Sequence, residues 1–324
     1  VLSIDESAAK TIDGYIGALR INDPSETVQG CVVVAAETMP AVLKAVKAVS
    51  VDWAPGPTAS VSEADLIAEG VRLAADPTVG TLYVNEGDIA AATTNAADTL
   101  AATYTTSTAL HFTMEPQNAL VEFDAQGRCH IHAGNQWQSL ILPVLAQALE
   151  MPETDIVIHQ YYLGGGYGRR LFGDQMIPAA LAARALGRPV KLIFDRATDS
   201  RFDCVRSPSV CTLAASFDGD GNLSGIDHAA VAGWPTKSMA PGFLGTGIDG
   251  KGQFDGFSIS GADHWYSLPS HRVRAINNEL AQATFLPGWL RAVGPGWISW
   301  GVESFLDEVA AKQGRDPVAM RLAL

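Results

Sequence analysis

Residues 159–174 read His-Gln-Tyr-Tyr-Leu-Gly-Gly-Gly-Tyr-Gly-Arg-Arg-Leu-Phe-Gly-Asp, so Gly164, Gly165, Gly166 and Gly168 run directly into Arg169 and Arg170. Glycine lets the backbone reach positive φ and lets another group come close. Backbone N–H groups and two cations in such a loop suit an anionic ligand. The standard phosphate motifs do not fit. No Gly-Lys-Ser/Thr follows, and the alternation of Gly164, Gly166 and Gly168 is not G-x-G-x-x-G. A tight turn packed under a neighbour accounts for the glycines equally well.

The flanking segments would position this loop. Asp155–Leu163 is β-branched and aromatic and predicts a strand, whereas Gln175–Leu186 predicts a helix. Upstream, Gln29–Ala36 predicts a buried strand and Met39–Ser50 a helix with Pro40 in its tolerated first turn. Val51–Trp53 reads as a short strand, and Ser62–Ala75 as a helix opened by a Ser62-x-x-Asp65 capping box. Gly80–Ala97 turns through Asn-Glu-Gly-Asp into a short helix. From Ala102 the texture is β-prone. Ala119–Phe123 and Arg128–Ala133 form a hairpin about Asp124–Gly127. A helix then runs to Glu150, with Pro143 expected to kink it or delay its start. Gly187–Asp195 is a strand after a glycine stop, and Val210–Phe217 and Leu223–Val231 flank a second hairpin turn. That turn is no EF-hand, because the later oxygen ligands are absent. Gly242–Gly261 reads as loop, Val273–Gln282 as strand and Ser299–Gln313 as a closing helix. The order βαβ, then hairpins, predicts an α+β fold with mixed sheets.

Composition sets bounds. The chain has 324 residues, 47% hydrophobic and 18% charged, with a formal net charge of −13. That charge argues against general nucleic-acid binding. Residues 167–206 nevertheless carry eight Lys/Arg against four Asp, a local +4. Cys31, Cys129, Cys204 and Cys211 form no C-x-x-C, which argues against a cysteine-bound zinc or iron–sulfur cluster in this chain. Sequence leaves open whether Cys204 and Cys211 pair. No apolar run approaches a membrane span, and no signal peptide is visible in the sequence, whose start at Val1 without a methionine leaves upstream residues open.

Seven segments, in order, resemble one family. They are Met114-Glu115-Pro116, Asn135-Gln136, Gly164–Arg170, Gly187–Lys191, Arg206-Ser207-Pro208, Leu286–Gly294 and Val302–Glu308. The chain resembles the molybdopterin-binding large subunits of the xanthine oxidase family, in its isoquinoline 1-oxidoreductase β-subunit and aldehyde dehydrogenase large-subunit branch. Tyr167 stands where that branch usually has phenylalanine. The resemblance implies a small hammerhead-like α/β module over residues 1–100, and over 101–324 the first of the family's molybdopterin-binding domains. It implies a molybdenum hydroxylase that oxidises an aldehyde or N-heteroaromatic substrate.

By the same resemblance, the Gln136 side-chain amide hydrogen-bonds an oxygen ligand of the molybdenum. Gly165, Gly166, Tyr167, Gly168, Arg169 and Arg170 form the cofactor-binding loop, with backbone N–H groups of Gly166, Tyr167 and Gly168 beside the metal and pterin. Arg291 lies in the substrate funnel. Local alternatives are a helix cap for Gln136 and a salt bridge to the closing helix for Arg291. His111 and Glu115 read as structural, and Trp289, Trp297 and Trp300 as packed or pocket-lining. The expected cofactor is molybdopterin cytosine dinucleotide with molybdenum, held through the pterin and not by a protein ligand to the metal.

Two departures matter. The family's catalytic glutamate follows a glycine in a much longer chain, and no Gly-Glu pair occurs here. The second half of the pterin-binding region is absent too. The expected partners are therefore an iron–sulfur subunit carrying 2Fe-2S clusters, polypeptide completing the pterin region, and a cytochrome c subunit in some relatives. This chain alone is expected not to turn over. Leu171 stands where purine-oxidising relatives carry an acidic clamp, which favours aldehydes or simple N-heteroaromatics. A competing reading is a non-catalytic binding or assembly module that kept the fold and lost the metal. The resemblance implies a periplasmic or membrane-associated setting, with a cytoplasmic one left open.

Overall fold

A computed structural model describes residues 1–28 and 30–324, so Gln29, at the head of the first predicted strand, lies outside the described residues. The chain forms two compact units, each built from two stretches: Val1–Ala59 with Phe112–Phe202, and Ser60–His111 with Asp203–Leu324. Both mix helices with open sheets, which bears out the α+β expectation.

In the first unit, four strands lie in the order Val190–Ile193, Asn118–Phe123, Cys129–Ala133, Ile156–Gln160. The first two pairings are antiparallel and the last is parallel. A parallel neighbour needs a crossover, and the helix Gln138–Leu149 supplies it. Pro143 sits inside that helix without delaying its start. The helix Met176–Leu186 is buried from Met176 through Ala183 and packs in one apolar cluster with Val121, Ile131 and Leu145. A small, methyl-rich helix of this kind can approach a sheet closely. It ends at Gly187, whose φ of 61° is the left-handed stop expected of a glycine there. The unit also holds an antiparallel ribbon, Tyr15–Ile21 with Cys31–Ala36, the helix Met39–Ala48, the short pair Ser3–Asp5 with Ser50–Asp52, and the helix Arg196–Arg201.

The second unit is a five-stranded sheet in the order Thr81–Glu86, His271–Asn277, Leu223–Ala232, Ser209–Phe217, Asp98–Thr106. Its one parallel pairing joins Leu223–Ala232 to His271–Asn277. The helix Ile298–Lys312 buries Phe305, Leu306 and Val309 against one set of sheet residues, among them Leu213 and Val273. The helix Glu63–Ala75, opened by the capping box read from sequence, serves a second cluster with Val210, Val231 and Ile276. Residues 60–100 belong to this unit, Thr81–Glu86 pairing with His271–Asn277 in its sheet, and residue 100 falls within a strand.

Two local expectations differ from the structure, and one point the sequence left open is settled. The strand predicted over Val273–Gln282 stops at Asn277. Asn278 then accepts the Ala281 N–H and caps a helix, Glu279–Thr284. The predicted loop Gly242–Gly261 contains a two-residue ladder and a helical turn capped by Asp255. Cys204 and Cys211 are not joined; all four cysteines are buried thiols. Burial pushes the Cys129 thiol up to about 12 and the Cys31 thiol up to about 11.

Candidate cofactor site

The strand Ile156–Gln160 delivers the chain to the glycine loop, and the helix Met176–Leu186 takes it away. Gly165 and Gly168 hold φ of 100° and 113°, and Tyr167 holds 55°. Only glycine adopts the first two without strain. Gly164 and Gly166 are required by space. A Cβ on Gly164 would stand 2.3 Å from the Cβ of Glu115, and one on Gly166 would stand 2.5 Å from Oε1 of Gln136. The loop is thus closed down on Glu115 and Gln136.

Gln136 is held in a defined orientation. Its backbone N–H donates to the Arg170 carbonyl at 2.9 Å. Its side-chain Oε1 accepts the backbone N–H groups of Gly168 and Arg170, each at 3.2 Å. Two donors converging on one atom identify it as the carboxamide oxygen. The amide –NH2 must then point the other way, and Gln136 is an exposed residue. Beside it, the N–H groups of Gly165, Gly166 and Tyr167 find no acceptor among the described residues. The Gly168 N–H is turned to Gln136 and is not offered to a ligand.

The two arginines take a different part from the one their charge suggests. Arg169 and Arg170 are 1% and 0% exposed. Arg169 Nη1 lies 2.6 Å from Oδ1 of Asp174, and Nη2 donates to the Phe202 carbonyl. Arg170 Nη2 lies 2.8 Å from Oε2 of Glu115, and Nε donates to the Gly165 carbonyl. These guanidinium groups brace the loop from beneath, and an anion above it would meet backbone N–H groups. Burial lowers the Arg170 pKa from its ordinary value. Burial also pushes Glu115 upward, but Asn118, the Gly164 N–H and Arg170 outweigh it and hold the carboxyl below the usual range. Glu115 is therefore a structural carboxylate, as its Met-Glu-Pro setting suggested.

Sequence reasoning missed the polar latch behind Gln136. Buried Asn135 donates to the Arg170 carbonyl and accepts the Trp137 N–H. Gln160 donates to the Asn135 carbonyl and accepts from Gln138. The signal was a run of four polar or indole residues, Asn135–Gln138, between an apolar strand and an apolar helix.

Arg291 belongs to the second unit. Its side chain is exposed and makes no ion pair among the described residues, so the alternative of a salt bridge to the closing helix does not hold. The loop that carries it is tied down by Arg206, whose Nη2 donates to the carbonyls of Leu290, Arg291 and Ala292. Trp289 and Trp297 are buried, whereas Trp300 is exposed and packs edge-on against Tyr104.

Also in this unit, His111, Asp203 and Cys204 bring ligand-type atoms within 4.8 Å of one another. His111 is already engaged, with Nδ1 2.9 Å from Asp203 Oδ1 and Nε2 3.2 Å from the Trp289 carbonyl. That accounts for the cluster as a buried lock, in agreement with the structural reading of His111.

In this α+β chain the glycine loop is thus closed on an oriented glutamine. The sequence pattern of the molybdopterin cofactor-binding domain matches residues 74–323, and the chain belongs to that family. It is 50% identical, over its whole length, to the membrane-bound aldehyde dehydrogenase [pyrroloquinoline-quinone] of Gluconacetobacter polyoxogenes, of which it covers 42%. It is 27% identical over 65% of its length to the isoquinoline 1-oxidoreductase β-subunit of Brevundimonas diminuta, covering 26% of that protein. The aldehyde oxidoreductase of Desulfovibrio desulfuricans superposes with a TM-score of 0.75 at 19% identity, over 99% of this chain and 38% of that one. The chain thus spans well under half the length of these relatives. Among the described residues no helix is long and apolar enough to cross a membrane.

Proposed function

We propose that this chain supplies the cofactor-cradling part of a molybdenum-dependent oxidoreductase acting on an aldehyde, with N-heteroaromatic compounds as the second substrate class. The observation that carries the proposal is the fixed sense of Gln136: its oxygen is taken by two loop N–H groups, so its –NH2 points away from them, beside three N–H groups without an acceptor among the described residues. Fixed donors of this kind stabilise negative charge without reorganising. An oxo-metal centre with an anionic pterin dithiolene presents the acceptors they need, so the residues fit the group. The bound molybdenum cofactor supplies the two-electron oxidation. Gln136 Nε2 orients an oxygen at its edge, and the N–H groups of Gly165, Gly166 and Tyr167 hold anionic charge. Arg169 and Arg170 act through the loop they brace.

The wider assignment rests on the same proposal. The cofactor is molybdopterin cytosine dinucleotide, electrons pass to 2Fe-2S clusters on a partner subunit and on to a cytochrome c, and the catalytic glutamate comes from polypeptide beyond this stretch. The leading part acts as the hammerhead-like module and the remainder as the first molybdopterin-binding domain. A family match beginning at residue 74 and the pairing of Thr81–Glu86 favour a boundary earlier than residue 100. A second reading is favoured by one observation: the 50% identical relative carries pyrroloquinoline quinone in its name. Cofactor extraction from the complete protein separates the two. Molybdenum and a fluorescent pterin in equal amounts support our reading, whereas pyrroloquinoline quinone without molybdenum supports the other.

A further inference from the structure

Three histidines cluster on the first unit's sheet. His130 and His132 alternate on the strand Cys129–Ala133, and His159 lies directly opposite His132 on the parallel neighbour. Cys129, Ile131 and Ala133 point into the core, so the histidines share the other face. That face is only partly covered: the His130 and His132 side chains are 21% and 23% exposed.

The contacts within the cluster are specific. Nδ1 of His130 lies 3.1 Å from Nε2 of His159. Nε2 of His130 lies 3.1 Å from Oδ2 of Asp124, which Arg128 also contacts at 2.8 Å. A carboxylate on one ring nitrogen fixes the hydrogen there and leaves the other nitrogen with its lone pair. The His132 ring stacks on His159 at 4.3 Å and 9°. It is held in turn by the Tyr161 hydroxyl, 3.2 Å from its Nδ1, with Glu122 3.8 Å from its Nε2.

We propose that His130 Nδ1 and His159 Nε2 form a binding site for a borderline divalent transition metal such as Zn2+, Cu2+ or Ni2+. Two nitrogens 3.1 Å apart, each about 2.0–2.1 Å from one ion, subtend roughly 100° at it, an angle that tetrahedral and square geometries both accept. Asp124 behind His130 is the carboxylate partner that metal-bound histidines commonly have. The stacked His132 fixes the plane of His159. Imidazole nitrogen selects these ions over Mg2+ and Ca2+. Binding replaces the hydrogen bond between the rings, and the His159 proton moves from Nε2 to Nδ1. Water completes the coordination, with the Glu122 carboxylate, 3.8 Å from His132 Nε2, on the same face. Burial, then His132 and His130, lowers the His159 pKa from its ordinary value. The ion would tie the strand that leads into the glycine loop to its neighbour. It is separate from the molybdenum proposal and survives or falls independently of it.

The test is calorimetric titration of the chelator-treated complete protein with Zn2+, paired with electron paramagnetic resonance of added Cu2+. The expected result is one high-affinity ion per chain and a Cu2+ spectrum showing two imidazole nitrogens. Affinity should fall at least tenfold in His130→Gln and in His159→Gln, each checked for folding by circular dichroism. It should be unchanged in Tyr162→Ala, which alters a fully exposed neighbour. Absence of stoichiometric binding, a Cu2+ spectrum without nitrogen coupling, or binding undiminished in both histidine variants would overturn the proposal.

Discussion

At the scale of single residues, the account rests on which end of the Gln136 carboxamide faces outward. Gln136→Glu tests this, because it keeps an oxygen for the Gly168 and Arg170 N–H groups and removes only the outward donor. Removing one such donor from an active site costs on the order of 10²–10³ in kcat. We expect a loss of that size in aldehyde oxidation by the complete protein, with thermal stability nearly unchanged. Loss of stability instead would mean that Gln136 is only a brace. The position of Gln136 was legible because Asn135-Gln136 stands in a family pattern. Its orientation was not, since it depends on N–H groups that lie 32 and 34 residues away. The arginines were misread for a related reason: sequence shows their charge but not the Asp174 and Glu115 that absorb it. A separate prediction concerns His228 and His271 in the second unit. Burial drives them down, to about 3 and about 4, and neither nitrogen of His228 has a partner among the described residues. Unfolding restores a pKa near 6.5, so the unfolded chain binds more protons below that value. Stability should therefore be fully present above about pH 6.5 and fall as the pH drops toward 4. Melting temperature against pH checks this, and His228→Leu should flatten the slope.

At the scale of elements, the glycine loop is a lid fastened from below. Asp174→Ala would leave the Arg169 guanidinium buried without its closest carboxylate. Breaking a buried pair from one side costs about 3–5 kcal/mol, and chemical denaturation of the protein should show a loss of that order. Gly166→Ala is a more selective change. Its methyl group would displace the Gln136 carboxamide while leaving the core untouched. Most elements were legible because their signals are local. The Ser62 capping box, the Gly187 stop and the Asp124–Gly127 turn each involve a few neighbouring residues. The end of the strand at Asn277 was harder. Asn278-Glu-Leu-Ala continues an apolar pattern, and only the buried Asn278 cap, which also donates to the Leu66 carbonyl, converts it to helix.

At the scale of the whole chain, the two-unit organisation could not be read by scanning along the sequence. Thr81–Glu86 and Asp98–Thr106 are placed by strands more than a hundred residues later, and pairing over such separations leaves no local mark. Family membership was legible from seven ordered segments, and the cofactor class followed from it. The central claim is that the Gly165–Tyr167 backbone and Gln136 hold a molybdopterin. Its most direct test is molybdenum and pterin content, by mass spectrometry and pterin fluorescence, of the complete protein beside its Gly166→Ala variant. We predict equal molybdenum and pterin in the parent protein and a folded variant depleted of both. A parent protein lacking molybdenum and pterin, or a variant loaded as fully as the parent, would contradict it.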